Sequence, residues 1–282
     1  MKRIFFILAA VLPILGLQAQ VRQSYTLNTG QFDKIQVNND VNVVYRCLPD
    51  STGFAQFTGD KKFADAFLLS VKSNGTLIVE VSPESQRAAD LPVLYVYSDF
   101  LLSAENSSNY TLTVESIAPC AEFKATQIGN GSVEVYNIKA NKVVASLNTG
   151  NGTVNVAGEC EIAELKMLGT GLISADRLMA KNVNCRILGT GSIGCWPLEN
   201  LSVKGLGSTK IYYKGNPKIK KTGGGKLFQL PDDGSEVWKD MDEDNETKVV
   251  EDTSIVRVVD VDDDDEEEND DDDYQTVVTA DD

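Results

Sequence analysis

Residues 168–196 read LGTGLISADRLMAKNVNCRILGTGSIGCW, and the phrase Leu-Gly-Thr-Gly occurs in them twice, twenty residues apart. A Gly-x-Gly pair that cradles a phosphate opens a helix, whose free backbone N–H groups face the anion. In this chain such pairs lead into β-branched alternation instead: SVEVYN and TVNVAG after earlier copies, SIGCW after the second copy here. The glycines therefore read as chain corners, where a Cβ would block the backbone path or a close approach.

The pairs form a series: Gly129 and Gly131, Gly150 and Gly152, Gly169 and Gly171, Gly189 and Gly191, Gly205 and Gly207, at steps of 21, 19, 20 and 16 residues. A last cluster, Gly223 to Gly225, lies 18 residues further on. A period near twenty indicates stacked equivalent units, none able to bury its apolar face alone. Counted from the first glycine of each pair, positions five and seven are Val133 and Val135, Val154 and Val156, Ile173 and Ala175, Ile193 and Cys195. Side chains two apart in a strand share a face, so these point into one core. Leu165 and Met167, Cys185 and Ile187, and Leu201 and Val203 repeat the arrangement before the next corner. On this alignment Cys195 joins the column of Val135, Val156 and Ala175, and Cys185 that of Leu165 and Leu201, as small buried hydrophobes. Cys160 has no clear place and leaves a bridge open. The repeat describes one coil of a parallel β-helix.

Residues 21–109 carry short strand patterns without a glycine period. FDKIQVNNDVNVVY alternates Ile35 and Val37, then Val41 and Val43, around Asn38-Asn39-Asp40; FLLSVKSNGTLIVEV sets Asn74-Gly75 between two alternations, a strong hairpin signal. PVLYVYS is a further strand, and KKFADAF is long enough for one helical turn. The fold class expected is all-β: a parallel β-helix of about five coils over residues 110–230, preceded by this β region.

In this order of motifs the chain resembles the auto-transporter adhesin head (GIN) domain family of secreted Gram-negative proteins. FDKIQVNNDVNVVY, VKSNGTLIVEV, the serial IGNGS, NTGNGT, LGTGL and LGTGS, then GLGSTKIYYKGNP and TGGGKL carry the resemblance over about residues 26–230. The resemblance implies a β-helical fold and a role at the cell surface, with no catalytic motif to transfer.

The two ends differ from the middle. Residues 1–20 place Lys2 and Arg3 before an apolar run from Ile4 to Leu17 and a Leu-x-Ala step, the pattern of a cleaved secretory signal rather than a membrane span. The first cysteine is Cys47, so no lipid-anchor cysteine follows the run. Export to the periplasm, outer-membrane surface or exterior is expected, with no transmembrane segment after cleavage. Residues 231–282 hold 24 acidic and 3 basic residues, and residues 1–230 hold 18 and 23, so the net charge of -16 belongs to the tail. DVDDDDEEENDDDD repels itself and has nothing to bury, which predicts disorder from residue 231. Asp240, Asp242, Asp244 and Glu251 fall at calcium-loop positions one, three, five and twelve. Asn245 stands where that loop requires glycine, so chance in an acid-rich segment explains them better, and weak Ca²⁺ association is expected only of the tail as a whole.

The chain has no histidine, which removes Ser-His-Asp and Cys-His catalysis and imidazole metal sites. Five cysteines, Cys47, Cys120, Cys160, Cys185 and Cys195, are too few and too irregular for a disulfide framework. A β-helix invites comparison with pectin-active enzymes, which need paired carboxylates or an acidic calcium cluster. Residues 118–230 offer one aspartate, Asp176, and six glutamates, of which Glu159, Glu161 and Glu164 are close together and read as a solvated loop face. Lys204, Lys210, Lys214, Lys218, Lys220, Lys221 and Lys226 gather in the last coil. They read as a solvated end guarded against edge pairing, and Lys214 to Lys226 could also attract the polyanionic tail. Tyr212 and Tyr213 among them do not indicate nucleic acid in an exported protein. The expectation is a non-enzyme without cofactor that binds a surface glycan, a protein ligand or a second copy of itself; the alternative is a carbohydrate-active enzyme or glycan binder on the same scaffold.

Overall fold

The computed structural model describes residues 23–51, 53–86 and 91–230. The stretch read above as a signal sequence, the acidic residues after 230 and the calcium-loop positions Asp240, Asp242, Asp244 and Glu251 lie outside them. Within them the chain is all-β. The strands are β1 (Gln23–Asn28), β2 (Lys34–Val37), β3 (Val43–Cys47), β4 (Phe54–Gly59), β5 (Phe67–Val71), β6 (Thr76–Val81), β7 (Leu94–Ser98), β8 (Ser103–Asn106) and β9 (Thr111–Val114). They continue as β10 (Cys120–Ile128), β11 (Ser132–Thr149), β12 (Thr153–Met167), β13 (Leu172–Ile187), β14 (Ser192–Gly205), β15 (Lys210–Tyr213), β16 (Lys218–Gly223) and β17 (Lys226–Gln229). One turn of 3-10 helix, Lys61–Phe63, falls in the KKFADAF segment.

From β10 onward the chain winds as a β-solenoid of about six turns. Each turn runs up a front wall, rounds a glycine corner and returns along a back wall. The front wall is β10, the C-terminal halves of β11 to β14, and β16; the back wall is the N-terminal halves of β11 to β14, then β15 and β17. The second corner is a bulge within each long strand, such as the register break between Val135 and Ile138, where Asn137 takes φ 55°. One corner per turn makes six, the Gly223 to Gly225 cluster included, which is why the turns outnumber the five Gly-x-Gly pairs.

Parallel pairing carries the core columns from turn to turn. Val133, Val154, Ile173, Ile193, Ile211 and Leu227 are successive partners on the back wall, and Ala145, Leu165, Cys185 and Val203 on the front. Cys185 therefore stacks under Val203, not Leu201, whose partner is Val183. The expected column slipped because the corner repeat was counted from Gly205. Gly205 pairs with Ile187, and Gly207 is the glycine lying against the Gly189 carbonyl, a step of 18 rather than 16.

Parallel stacking also runs on below the glycine series. β8 pairs with β10 and β9 with β11, β2 lies between β6 and β8, and β3 between β7 and β9. The β2–β3 layer thus sits inside the stack, flanked by later segments. At this end the antiparallel pairs β5–β6, β1–β4 and β4–β7 close the solenoid, and β5–β6 is the hairpin at Asn74-Gly75. Aromatic residues fill the wider core here: Phe57 packs on Tyr25 at 5.1 Å and on Phe67 at 5.1 Å, and Tyr45 against Phe32 at 6.5 Å. At the opposite end Lys221 occupies an inward column over Val203, and β16 and β17 each have one partner among the described residues. An inward charge at an open edge disfavours further pairing.

Candidate functional site

The corner glycines carry the close approach that a solenoid needs. Carbonyls of Gly131, Gly152, Gly171 and Gly191 accept from Thr153, Leu172, Ser192 and Lys210 of the next turn at 3.0 to 3.1 Å. A Cβ on Gly171 would strike the Gly152 carbonyl, and one on Gly191 the Gly171 carbonyl. Their backbone thus stacks on backbone. Beneath the first corner lies a buried amide cluster that the sequence did not announce. Asn106 Nδ2 donates to Gln127 Oε1 at 3.0 Å, to Tyr110 O at 2.7 Å and to Ser132 O at 3.0 Å. The only available signal was an amide where later turns place Leu147, Met167 and Ile187.

Glu159, Glu161 and Glu164 lie on strand β12, not on a loop, and each faces a lysine from a neighbouring turn. Lys139 reaches Glu159 at 3.0 Å, Lys181 reaches Glu161 at 2.7 Å, and Glu164 sits between Lys142 at 2.9 Å and Lys166 at 3.3 Å. Hydrogen bonds from Lys181 and Lys142 hold the Glu161 and Glu164 carboxyls below their ordinary range. A glycosidase acid needs a raised value, so these groups are tuned against that chemistry.

Beside them a surface hollow of about 400 Å³ is lined by Cys120, Ala140, Cys160, Lys139, Glu159 and Lys181, among others. Cys120 and Cys160 share one column with Ala140 between them, two strand spacings apart and too far for a disulfide. Both thiols are free, and burial pushes Cys160 up to about 12, away from the thiolate a nucleophile requires. Cys185 and Cys195 are buried and free, and the Cys195 thiol is raised by its contact with Cys185 and by burial. No group of three or more metal-ligating side chains occurs among the described residues.

Asp176 is the second unannounced feature. It is fully buried, accepts from Ser174 Oγ at 2.7 Å, and has Lys214 Nζ 3.9 Å from its other oxygen. Lys214 is itself buried and lies 5.4 Å over the Trp196 ring, so it does not join the solvated lysines expected of the last coil. Tyr213 belongs to the core and Tyr212 stacks on Phe228 at 5.2 Å, which removes both from any stacking surface.

The outer front wall is a regular surface that runs through all six turns. Its columns read Glu122, Lys142, Ile162, Asn182, Asn200, Lys218; then Lys124, Val144, Glu164, Asn184, Ser202, Lys220; then Thr126, Ser146, Lys166, Arg186, Lys204, Thr222. Asn200 donates to Asn182 at 2.7 Å, and on the back wall Ser132 donates to Thr111 at 3.1 Å, so polar ladders bond along the axis. A sequence-family model described as "Putative auto-transporter adhesin, head GIN domain" matches residues 31–217. The chain belongs to that family. This GIN-domain chain is similar to a putative adhesin of Bacteroides fragilis NCTC 9343 at 23% identity and TM-score 0.66, over 75% of this chain and 98% of that one. It is also similar to a putative lipid binding protein of Parabacteroides distasonis ATCC 8503, at 19% identity and TM-score 0.56 over 74% and 97%. A putative adhesin of Parabacteroides merdae ATCC 43184 aligns at 21% identity and TM-score 0.55 over 74% and 96%. At these identities the likeness carries the fold alone. No curated protein matches the chain. No helix among the described residues is long and apolar enough to cross a membrane, which does not bear on strands.

Proposed function

We propose that the protein is an exported, non-catalytic adhesin-head protein of the cell envelope or exterior that binds its ligand on the outer front wall. One observation carries the reading: this wall presents Ser, Thr and Asn columns with the Asn182–Asn200 ladder bonded along the axis, and both of its glutamates, Glu122 and Glu164, are engaged by lysines. Family membership and the adhesin relatives support it. A flat, periodic polar surface suits repetitive ligands such as surface glycans or an extended protein segment.

The test is a glycan array and a cell-surface protein overlay with the full-length chain, beside a reducing-end assay on pectin-type polysaccharides. Binding without turnover is expected, weakened by Asn182→Arg with Asn200→Arg. Release of reducing ends would establish the carbohydrate-active alternative instead.

A further inference from the structure

The outer front wall changes character between its first and last turns. In the first turns Lys124, Lys142 and Lys166 share the carboxylates of Glu122 and Glu164, at 2.9 to 3.5 Å. In the next two turns the columns of those acids hold Asn182, Asn184, Asn200 and Ser202 instead. The cations continue without them: Arg186 over Lys166, Lys204 over Arg186, then Lys218 and Lys220. Arg186, Lys204, Lys218 and Lys220 are exposed and have no ion-pair partner among the described residues. With turns about 4.8 Å apart and alternate residues about 6.7 Å apart, they fit in a patch about 10 by 15 Å.

An apolar ladder runs beside this cationic one. Leu168, Leu188 and Leu206 each follow a cation by two residues, immediately past the ends of β12, β13 and β14, and all three are exposed. They stack in register through Leu188 N to Met167 O and Leu206 N to Ile187 O, and their exposure climbs from 48% to 66% to 74% along the stack. Exposed leucines in register, bordered by unpaired cations, form a surface for an apolar segment that carries negative charge.

We propose that residues 255–273 of the same chain are that segment. Fifty-two residues follow Leu230, which ends the last turn. Their largest apolar β-branched cluster is Ile255, Val256, Val258, Val259 and Val261, against the pairs Val249-Val250 and Val277-Val278, and it alone is followed directly by a long acidic run, residues 262–273. The order matches the wall: apolar residues meet the leucine ladder, and acids reach the adjoining cations. Twenty-four residues lie between Leu230 and Ile255, a link that spans about 25–30 Å as a coil, against about 15 Å for three turns. Attachment at that distance gives an effective concentration of about a millimolar, enough for a weak contact to persist. The docked segment occupies the wall's cationic end and keeps other polyanions from it. This inference stands whether or not the protein is an adhesin.

Zero-length carbodiimide cross-linking of the full-length chain, read by mass spectrometry, tests it. Intramolecular links from Lys204, Lys218 and Lys220 to residues 262–273 are expected. They should be lost at about 0.5 M sodium chloride, where screening acts within about 4 Å, and reduced severalfold by Leu188→Ser with Leu206→Ser. Replacing the acids of residues 262–273 by their amides should raise the salt needed to elute the chain from heparin. Links made as often to Lys34, Lys61, Lys62 and Lys72, links between isotopically distinct copies, or unchanged heparin retention would each overturn the proposal.

Discussion

Asp176 and Lys214 form a buried pair 38 residues apart, with side chains 0% and 7% exposed. An ion taken from water without its partner is costly, so Lys214→Met is expected to lower unfolding free energy by about 3–5 kcal/mol, and Asp176→Asn combined with it to restore most of that. Urea denaturation of the full chain measures both; additive losses would mean that the two do not form a pair. Nothing in the sequence marks Asp176, because burial of a charge is decided by what the next turns set against it. The corner glycines were legible because close approach leaves a compositional trace. Gly129 has φ 92° and open space where a Cβ would be, whereas Gly171 meets the backbone of the turn below. Gly129→Ala should then cost only the left-handed penalty, about 1–2 kcal/mol, and Gly171→Val should cost more, through displaced backbone. Equal stability of Gly171→Val and the parent would remove the stacking argument. For Glu164, Lys142 holds the carboxyl below its ordinary range, so its contribution is complete above about pH 5 and is lost as the pH falls through the ordinary and then the lowered value. Glu164→Gln should lower the urea midpoint at pH 7, and the difference from the parent should vanish in strong acid.

At the scale of the element, the strands of 14 to 18 residues are each one back-wall strand and one front-wall strand joined by a bulge. Each contacts chiefly the turns on either side, as in other solenoids. Removal of residues 153–171, one turn counted from Thr153 to the residue before Leu172, brings Leu172 over Ser132 and keeps every inward position inward. That variant should unfold cooperatively with a lowered Tm, whereas removal of residues 153–161 turns the walls out of register and should abolish the transition. Calorimetry distinguishes them. Period-two alternation and the glycine interval made these turns readable. The slip of Cys185 against Leu201 shows the limit: parallel register is set by corner length, and a corner that loses two residues moves a column without altering its polarity pattern. The β2–β3 layer was unreadable for a stronger reason, since Ile35 pairs with Leu77 and Ala104, 42 and 69 residues away, and no local pattern records such distances.

Across the whole molecule the two ends are not equivalent. The end formed by β1, β4, β5, β6 and β7 is closed by antiparallel strands and aromatic packing, and the other ends on β16 and β17 with lysines along the edge. Loss of residues 218–230 takes away one layer that rests on β14 and β15 alone; a Tm lower by a few degrees is expected. Loss of residues 23–59 takes β2 and β3 from between two layers and should leave no cooperative melting at all. A comparable Tm for the two truncations would contradict the stacking order.

That stacking order also sets a constraint on how the chain comes into being. A polypeptide emerges from its N-terminus, and β2–β3 is therefore among the first strands to appear. Both of its neighbours, β6–β7 on one side and β8–β9 on the other, arrive later. For that interval the founding layer is a bare template with two open edges, and the first event of assembly is the closing of a gap rather than the lengthening of a column.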